Sequence, residues 1–309
     1  YLPSLNIKRV EYINSEDRSF FLPDMGTNGL FLMDYTAYEV YKDPNKQLEM
    51  AKKMNEVFET DFIYSLTDGA IFCEVLGVEL LKPDYDFPSV LSHPITDMKS
   101  LARYELPDPY KTGRMPVNLK SLELISKNID KPLFVSIQGP FTLAVQLAGA
   151  THLLRNVIKD PEFVDRLLEF TTETVRRYAV AVNKVGARYI SIAEPATITL
   201  GTERFRRLVV PNLKKIYKDL DCWKALHICG DTSELLDEML KCDIDALSLD
   251  QIMDYRKVMK GIPSDIVLLG NLDPLELLYN SDEETIRLET TKLLKDMRKY
   301  SNYLCAFGC

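Results

Sequence analysis

Trp223-Lys224-Ala225-Leu226-His227-Ile228-Cys229-Gly230-Asp231-Thr232 leads through an amphipathic stretch, Ser233–Lys241, into Ile244-Asp245-Ala246-Leu247-Ser248-Leu249-Asp250-Gln251. A short apolar run closes on polar residues, a helical pattern follows, and a second apolar run closes on polar residues again. Such a unit is strand, helix, strand, with the two strands parallel. In a strand, residues i and i+2 point to the same side. His227 and Cys229 can therefore face one point from one strand end.

The same alternation extends outward in both directions. Apolar runs stand at Phe62–Leu66, Leu133–Ile137, Tyr189–Ala193, Ile266–Leu269 and Tyr303–Phe307. Helical patterns occupy Asn45–Thr60, Pro161–Val185, Thr202–Leu220 and Asp282–Tyr300. With the opening pair this makes seven strands, and an eighth is expected near Ser19–Leu22 or Leu30–Met33. Eight βα units in 309 residues predict an α/β fold, a (β/α)8 TIM barrel, as a single domain over residues 1–309. The competing architecture is a doubly wound open sheet. Its dinucleotide-binding form carries G-x-G-x-x-G after an early strand, and this chain has none. Leu80–Leu119, punctuated by six prolines, reads as a helical and loop insertion over the barrel mouth. A second insertion is expected at Phe141–Asn156.

A net charge of −8 argues against nucleic acid as a partner and against an anionic membrane surface. No apolar stretch is long enough to span a bilayer. Six dispersed cysteines, several in or beside apolar runs, read as buried thiols or metal ligands in a reducing compartment, the cytoplasm, rather than as a disulfide framework. The sequence begins at Tyr1 without a methionine, so it is read as truncated at its ends.

A barrel of this kind carries its site where the strands end. The polar residues there are Thr67-Asp68-Gly69, Gln138-Gly139-Pro140, Glu194-Pro195, Cys229-Gly230-Asp231, Asp250-Gln251, Gly270-Asn271-Leu272-Asp273 and Gly308-Cys309. His227, Cys229 and a distant Cys309 make a candidate three-ligand metal site, and three protein ligands leave a position open for chemistry. The same His-x-Cys pair also reads as a buried core pair. Cys305 is an alternative ligand, since it shares strand parity with Cys309; Cys309 is preferred because it lies at the strand end beside Gly308. Cys73, Cys222 and Cys242 read as structural. Glu194 is a candidate acid near the metal, or else a helix N-cap or part of a salt bridge inside the barrel; Asp250 is a candidate catalytic acid that orients a ligand or contacts substrate, or else caps the next helix. Asp68, Gln138, Asn271 and Asp273 are candidate substrate contacts, with turn and capping roles as the alternative. His93 and His152 fall in the insertions and read as surface residues.

Taken together, Gln138–Ala144, Glu194-Pro195, Phe205 through Tyr217, Leu226-His227-Ile228-Cys229-Gly230-Asp231-Thr232, Leu249-Asp250-Gln251 and Gly270–Pro274 resemble the uroporphyrinogen decarboxylase superfamily. The similarity runs from about Phe31 onward and is closest to the zinc-dependent cobamide methyltransferase branch, which includes methylcobamide:coenzyme M methyltransferases. The resemblance implies Zn2+ on His227, Cys229 and Cys309. It also implies a methylated corrinoid supplied by a transient partner protein, and a small methyl acceptor, a thiol such as coenzyme M. The family more often has aspartate before the proline, where this chain has Glu194. On the thiol reading Glu194 is the first candidate for the acid that takes the released proton, and Asp250 the second. The chain has no Asp-x-His-x-x-Gly corrinoid motif of its own. A partner-borne macrocycle predicts a broad apolar opening. A homodimer is compatible with this reading.

Three alternatives accompany it. In the first, the enzyme passes methyl from a methoxy or methylamine compound to the corrinoid. In the second, it is a uroporphyrinogen decarboxylase-like enzyme, although the arginine-rich N-terminal segment that grips an acidic tetrapyrrole is replaced here by Phe20-Phe21-Leu22-Pro23-Asp24-Met25-Gly26. In the third, Cys305 closes a zinc tetrahedron in a non-catalytic barrel.

Overall fold

A computed structural model describes residues 9–309 apart from Asp24 and Thr67; Thr67, expected at the end of the Phe62–Leu66 strand, and Asp24, in the segment that stands in place of an arginine-rich one, lie outside the described residues. Eight parallel strands form one curled sheet: β1 Phe21–Leu22, β2 Ile63–Tyr64, β3 Leu133–Gln138, β4 Tyr189–Ala193, β5 Trp223–Ile228, β6 Ala246–Leu249, β7 Val267–Leu272 and β8 Tyr303–Phe307. From β2 to β8 each strand pairs with the next in sequence, and β8 then pairs with β1. The two end strands meet through Asp61. Its backbone N–H donates to the Phe21 carbonyl at 3.3 Å, and its carboxylate accepts from the Phe21 N–H at 2.7 Å. The molecule is a (β/α)8 barrel. The first strand is the earlier of the two expected positions; Leu30–Met33 falls instead in and beside a short 3-10 helix, Thr27–Leu32.

The lumen fills in register. Tyr64, Phe134, Tyr189 and Trp223 are aligned across β2 to β5 and pack ring on ring, with centroids 4.7, 4.7 and 5.7 Å apart. Tyr12, Phe20 and Phe62 join them to floor the barrel at its N-terminal end. One step up lie Ser136, Ser191, Ala225 and Ala246, and one further step brings Gln138, Ala193, His227, Ser248 and Leu269 level with one another. The lumen thus grades from aromatic at the floor to small and polar at the mouth. A second, larger core lies between sheet and helices.

Several expected elements differ in detail. The Thr202–Leu220 helix is two, Gly201–Leu208 and Val210–Tyr217, because Pro211 supplies no N–H to continue the first. Ser233–Lys241 shortens to a helix at Leu236–Met239. The insertion after β2 holds an antiparallel ribbon, Leu80–Leu81 with Ser89–Val90, and a short helix, Met98–Leu101, but its expected end at Leu119 lies inside a regular helix, Met115–Asn128. Phe141–Asn156 is likewise regular, forming helices Pro140–Ala148 and Ala150–Lys159. His93 and His152 fasten these two regions: His93 Nδ1 is 2.7 Å from the Gln146 carbonyl, and His152 Nε2 is 2.7 Å from the Thr96 carbonyl. No helix among the described residues is long and apolar enough to cross a membrane.

Candidate metal centre at the barrel mouth

β5 ends at Ile228, and the chain continues extended far enough for His227 and Cys229 to reach the same side. His227 Nε2 lies 3.1 Å from Cys229 Sγ, and Cys229 Sγ lies 2.8 Å from Cys309 Sγ. One donor atom from each of the three residues falls within 4.8 Å of the others. His227 and Cys229 are half-buried and Cys309 is exposed, so the cluster opens on the mouth. Cys229 and the His227 imidazole both lower the Cys309 thiol, to about 5.

Strand parity does not carry Cys309 to its position. Leu304 and Ala306 face the lumen, and Cys305 faces the helices, 3% exposed. Cys305 is therefore outside the cluster, and burial pushes its thiol up to about 11. After Phe307 the strand stops, and Gly308 packs so closely on the backbone of Gln251 that a Cβ there would overlap it. That close approach lets the chain turn Cys309 inward.

The candidate acids take different places. Asp250, 8% exposed, accepts from the Gly230 N–H at 2.8 Å and the Ile252 N–H at 3.0 Å, pinning the turn beside Cys229. Its charge reaches Cys309, where it opposes thiolate formation. Glu194 is fully buried and points into the helix layer. It accepts from the Phe141 N–H at 2.9 Å, the Thr142 N–H at 2.8 Å and the Thr142 hydroxyl at 2.7 Å. The two N–H groups are unpaired donors of the first turn of Pro140–Ala148, so Glu194 anchors that helix where a negative charge is favoured. Gly139 is required beside it, since a Cβ would overlap the carboxyl. Burial nevertheless raises Glu194 to about 7 against the pull of its three donors.

Gln138 shares the register row of His227 and has a buried Oε1 without a hydrogen-bond partner among the described residues. Asn271 donates to the Met253 carbonyl at 2.6 Å, and Asp273 caps helix Pro274–Tyr279 through the Leu275 and Glu276 N–H groups. Both line a cavity of about 440 Å³ together with Gln251, Tyr255, Lys292 and Asp296. The Asp68 side chain is 3% exposed and is held by Arg114 at 2.7 Å, while Arg114 Nε donates to Glu74 at 2.6 Å. Burial raises the Asp68 carboxyl despite Arg114.

Sequence reasoning passed over Arg114 and Ser248. Arg114 lies in the insertion, and nothing local marks it. Ser248 was legible, for it stands two residues before Asp250 on the same strand face, and its Oγ lies 2.9 Å from His227 Nδ1.

The family model described as uroporphyrinogen decarboxylase (URO-D) matches residues 30–309. A methylcobamide:CoM methyltransferase, MtbA, of Methanosarcina mazei is 29% identical over 267 residues, covering 83% of this chain and 77% of that protein. A methylated-thiol–coenzyme M methyltransferase of the same organism is 28% identical, covering 82% of this chain and 69% of that protein. Among solved structures, a methyltransferase from Methanosarcina mazei superposes with a TM-score of 0.87 at 23% identity, covering 99% of this chain and 92% of that one.

Proposed function

This chain belongs to the uroporphyrinogen decarboxylase family, and from that premise we propose that it is a corrinoid-dependent methyltransferase with zinc on His227, Cys229 and Cys309. The reading rests on one observation above all: an imidazole and two thiols meet within 4.8 Å at the mouth of the barrel. The donor set fits the metal. Two sulfurs and one nitrogen suit zinc, and three protein ligands match a site that keeps its fourth position for substrate. Cys309, lowered to about 5, is ready to ligate as a thiolate at neutral pH. Zinc, when bound, supplies the Lewis acidity that holds a substrate thiol, with an ordinary pKa of about 8.5, as its thiolate.

The net reaction moves a methyl group from a methylated corrinoid protein to the thiol and releases the thiol's proton. The chain's own residues prepare the place. Asp250 fixes Gly230, and so the approach of Cys229; Gly308 fixes the approach of Cys309. Asp250 is also the acid whose charge is felt at the triad. Glu194 acts at a remove, holding the Gln138–Thr142 turn so that Gln138 stays level with His227.

The mouth supports a protein-borne partner. Phe31 follows β1, Leu81 and Phe87 lie in the insertion after β2, Ile252 follows β6, and Leu275 and Tyr279 follow β7. All six are large, apolar and exposed, Phe31 at 76% and Tyr279 at 82%. Apolar side chains left in water on the connections around a barrel mouth are what a partner surface would cover. The two coenzyme M methyltransferase relatives favour a small thiol as acceptor.

The test is an assay of the zinc-loaded protein with methylcobalamin and a panel of thiols. The expected result is thiol-dependent formation of cob(I)alamin that is lost in Cys309→Ala. Activity confined to methyl ethers or methylamines with a corrinoid acceptor would reverse the direction. Full activity in metal-free protein would overturn the zinc assignment.

A further inference from the structure

The lumen directly beneath the triad is unusual for a small barrel, whose interior is normally filled by bulky branched side chains. Here it holds a cavity of about 30 Å³, lined by Ser191, His227, Ser248 and Cys309 among apolar neighbours such as Tyr64 and Leu269. Register explains the grouping. Ser248 is aligned with His227 on the adjacent strand, and Ser191 is aligned with Ala225, one inward step below. Ser248 Oγ is 2.9 Å from His227 Nδ1. Ser191 is 3% exposed, and no hydrogen bond from another described residue reaches its hydroxyl.

An imidazole that gives Nε2 to a metal carries its proton on Nδ1, and the group that accepts that proton sets both tautomer and ring angle. The acceptor here is Ser248 Oγ. Its own O–H must then point onward, and the open direction is the cavity, where Ser191 also lacks a partner. A cavity of this size has room for water, and two hydroxyls are the minimum set a buried water needs. We infer that Ser248 is a positioning residue for His227, and that one buried water links Ser248 to Ser191 beneath the metal centre. The resulting chain runs from the His227 Nδ1–H to Ser248 Oγ, from the Ser248 hydroxyl to the water, and from the water to Ser191. This inference rests on the assignment of His227 as a ligand through Nε2.

The experiment uses the full chain and the variants Ser248→Ala, Ser248→Thr and Ser191→Ala, each checked for an unchanged far-UV spectrum and melting transition. Three quantities are read. The first is zinc affinity by chelator competition. The second is the visible spectrum of the Co2+-substituted protein. The third is the His227 tautomer in metal-free protein, by long-range 1H–15N correlation. Wild type is expected to carry the proton on Nδ1. Ser248→Ala is expected to lose that preference, to bind zinc 10- to 100-fold more weakly, and to shift the Co2+ ligand-field bands while keeping thiolate-to-cobalt charge transfer. Ser248→Thr should restore all three readings. Ser191→Ala should weaken zinc less than tenfold and remove the water from a high-resolution electron-density map. If wild type binds zinc and Ser248→Ala matches it in affinity, spectrum and tautomer, the positioning role is wrong. A dry cavity in wild type overturns the water. Failure of wild type to bind zinc would refute the proposed function instead, and the tautomer measurement would still judge Ser248.

Discussion

Cys229 Sγ and Cys309 Sγ stand 2.8 Å apart although 80 residues separate them in the chain. Strands β5 and β8 are separated in the sheet by β6 and β7, and because every strand runs the same way their C-terminal ends lie on one face. The curl of the sheet across β6 and β7 is thus what brings the second sulfur to the first. No local motif contains both.

Replacing that second sulfur separates ligand from wall. Cys309→Ala is expected to lower bound zinc from about one per chain to near zero, since a site with two donors is left. Cys305→Ala, on a thiol that faces the helices, should retain full zinc and lose only about 1 kcal/mol of stability for a small cavity. Metal analysis after dialysis, with thermal melting beside it, distinguishes the two. Zinc removal itself should abolish activity and leave the barrel folded, because the aromatic floor of the lumen and the larger core between sheet and helices do not depend on the site.

A second prediction concerns Glu194, raised by burial from 4.5 to about 7. A carboxyl whose folded pKa exceeds its unfolded value binds more protons in the native state between those two pH values. Its effect on stability is therefore most favourable below about pH 4.5 and worsens as pH rises through that window. By pH 7 the loss is on the order of 3 kcal/mol. Glu194→Gln cannot titrate. The stability difference between wild type and variant should consequently move against wild type from pH 4.5 to 7 in denaturant titrations, and a constant difference would contradict the assignment.

Much of this site was legible because strands obey a period of two. The pairing of His227 with Cys229 follows from that rule, while the eight βα units and the convergence of strand ends follow from the alternation of apolar runs with helical stretches. Glu194 shows what the rule offered and motif reading overlooked. Ala193 is level with His227 in the lumen, so the next residue belongs to the opposite face, where it meets the first turn of Pro140–Ala148. Cys309 shows the reverse. Counting by twos from Cys305 would put both sulfurs on one side, but the strand ends at Phe307 and Gly308 redirects the chain. Arg114 was invisible for a third reason: its partners Asp68 and Glu74 are 46 and 40 residues away and meet it only in the folded insertion.

That ion network yields a third prediction. Arg114 is 7% exposed and Asp68 is almost wholly buried, so removing the cation strands a charge that cannot reach water. Arg114→Leu should cost roughly 3 to 5 kcal/mol. Adding Asp68→Asn removes the stranded charge and should recover part of that loss, a coupling that a double-mutant cycle measures directly.

The apolar rim gives the last. Phe31 sits in the 3-10 helix that follows β1 and Tyr279 ends the helix that follows β7; both connections leave the C-terminal ends of their strands, as Cys309 does, and both residues are more than three-quarters exposed. Neither belongs to a core, so Phe31→Asp and Tyr279→Asp should leave stability within about 0.5 kcal/mol of wild type. If the rim receives a corrinoid-bearing protein, each change places a charge in an interface that had excluded it, and the loss should appear as a higher KM for the methylated partner protein. A tenfold rise corresponds to about 1.4 kcal/mol of binding. Turnover of free methylcobalamin, which needs the zinc site and not the rim, should stay the same. Equal losses with the free and the protein-borne corrinoid would place these side chains in the catalytic centre and remove the rim from partner recognition.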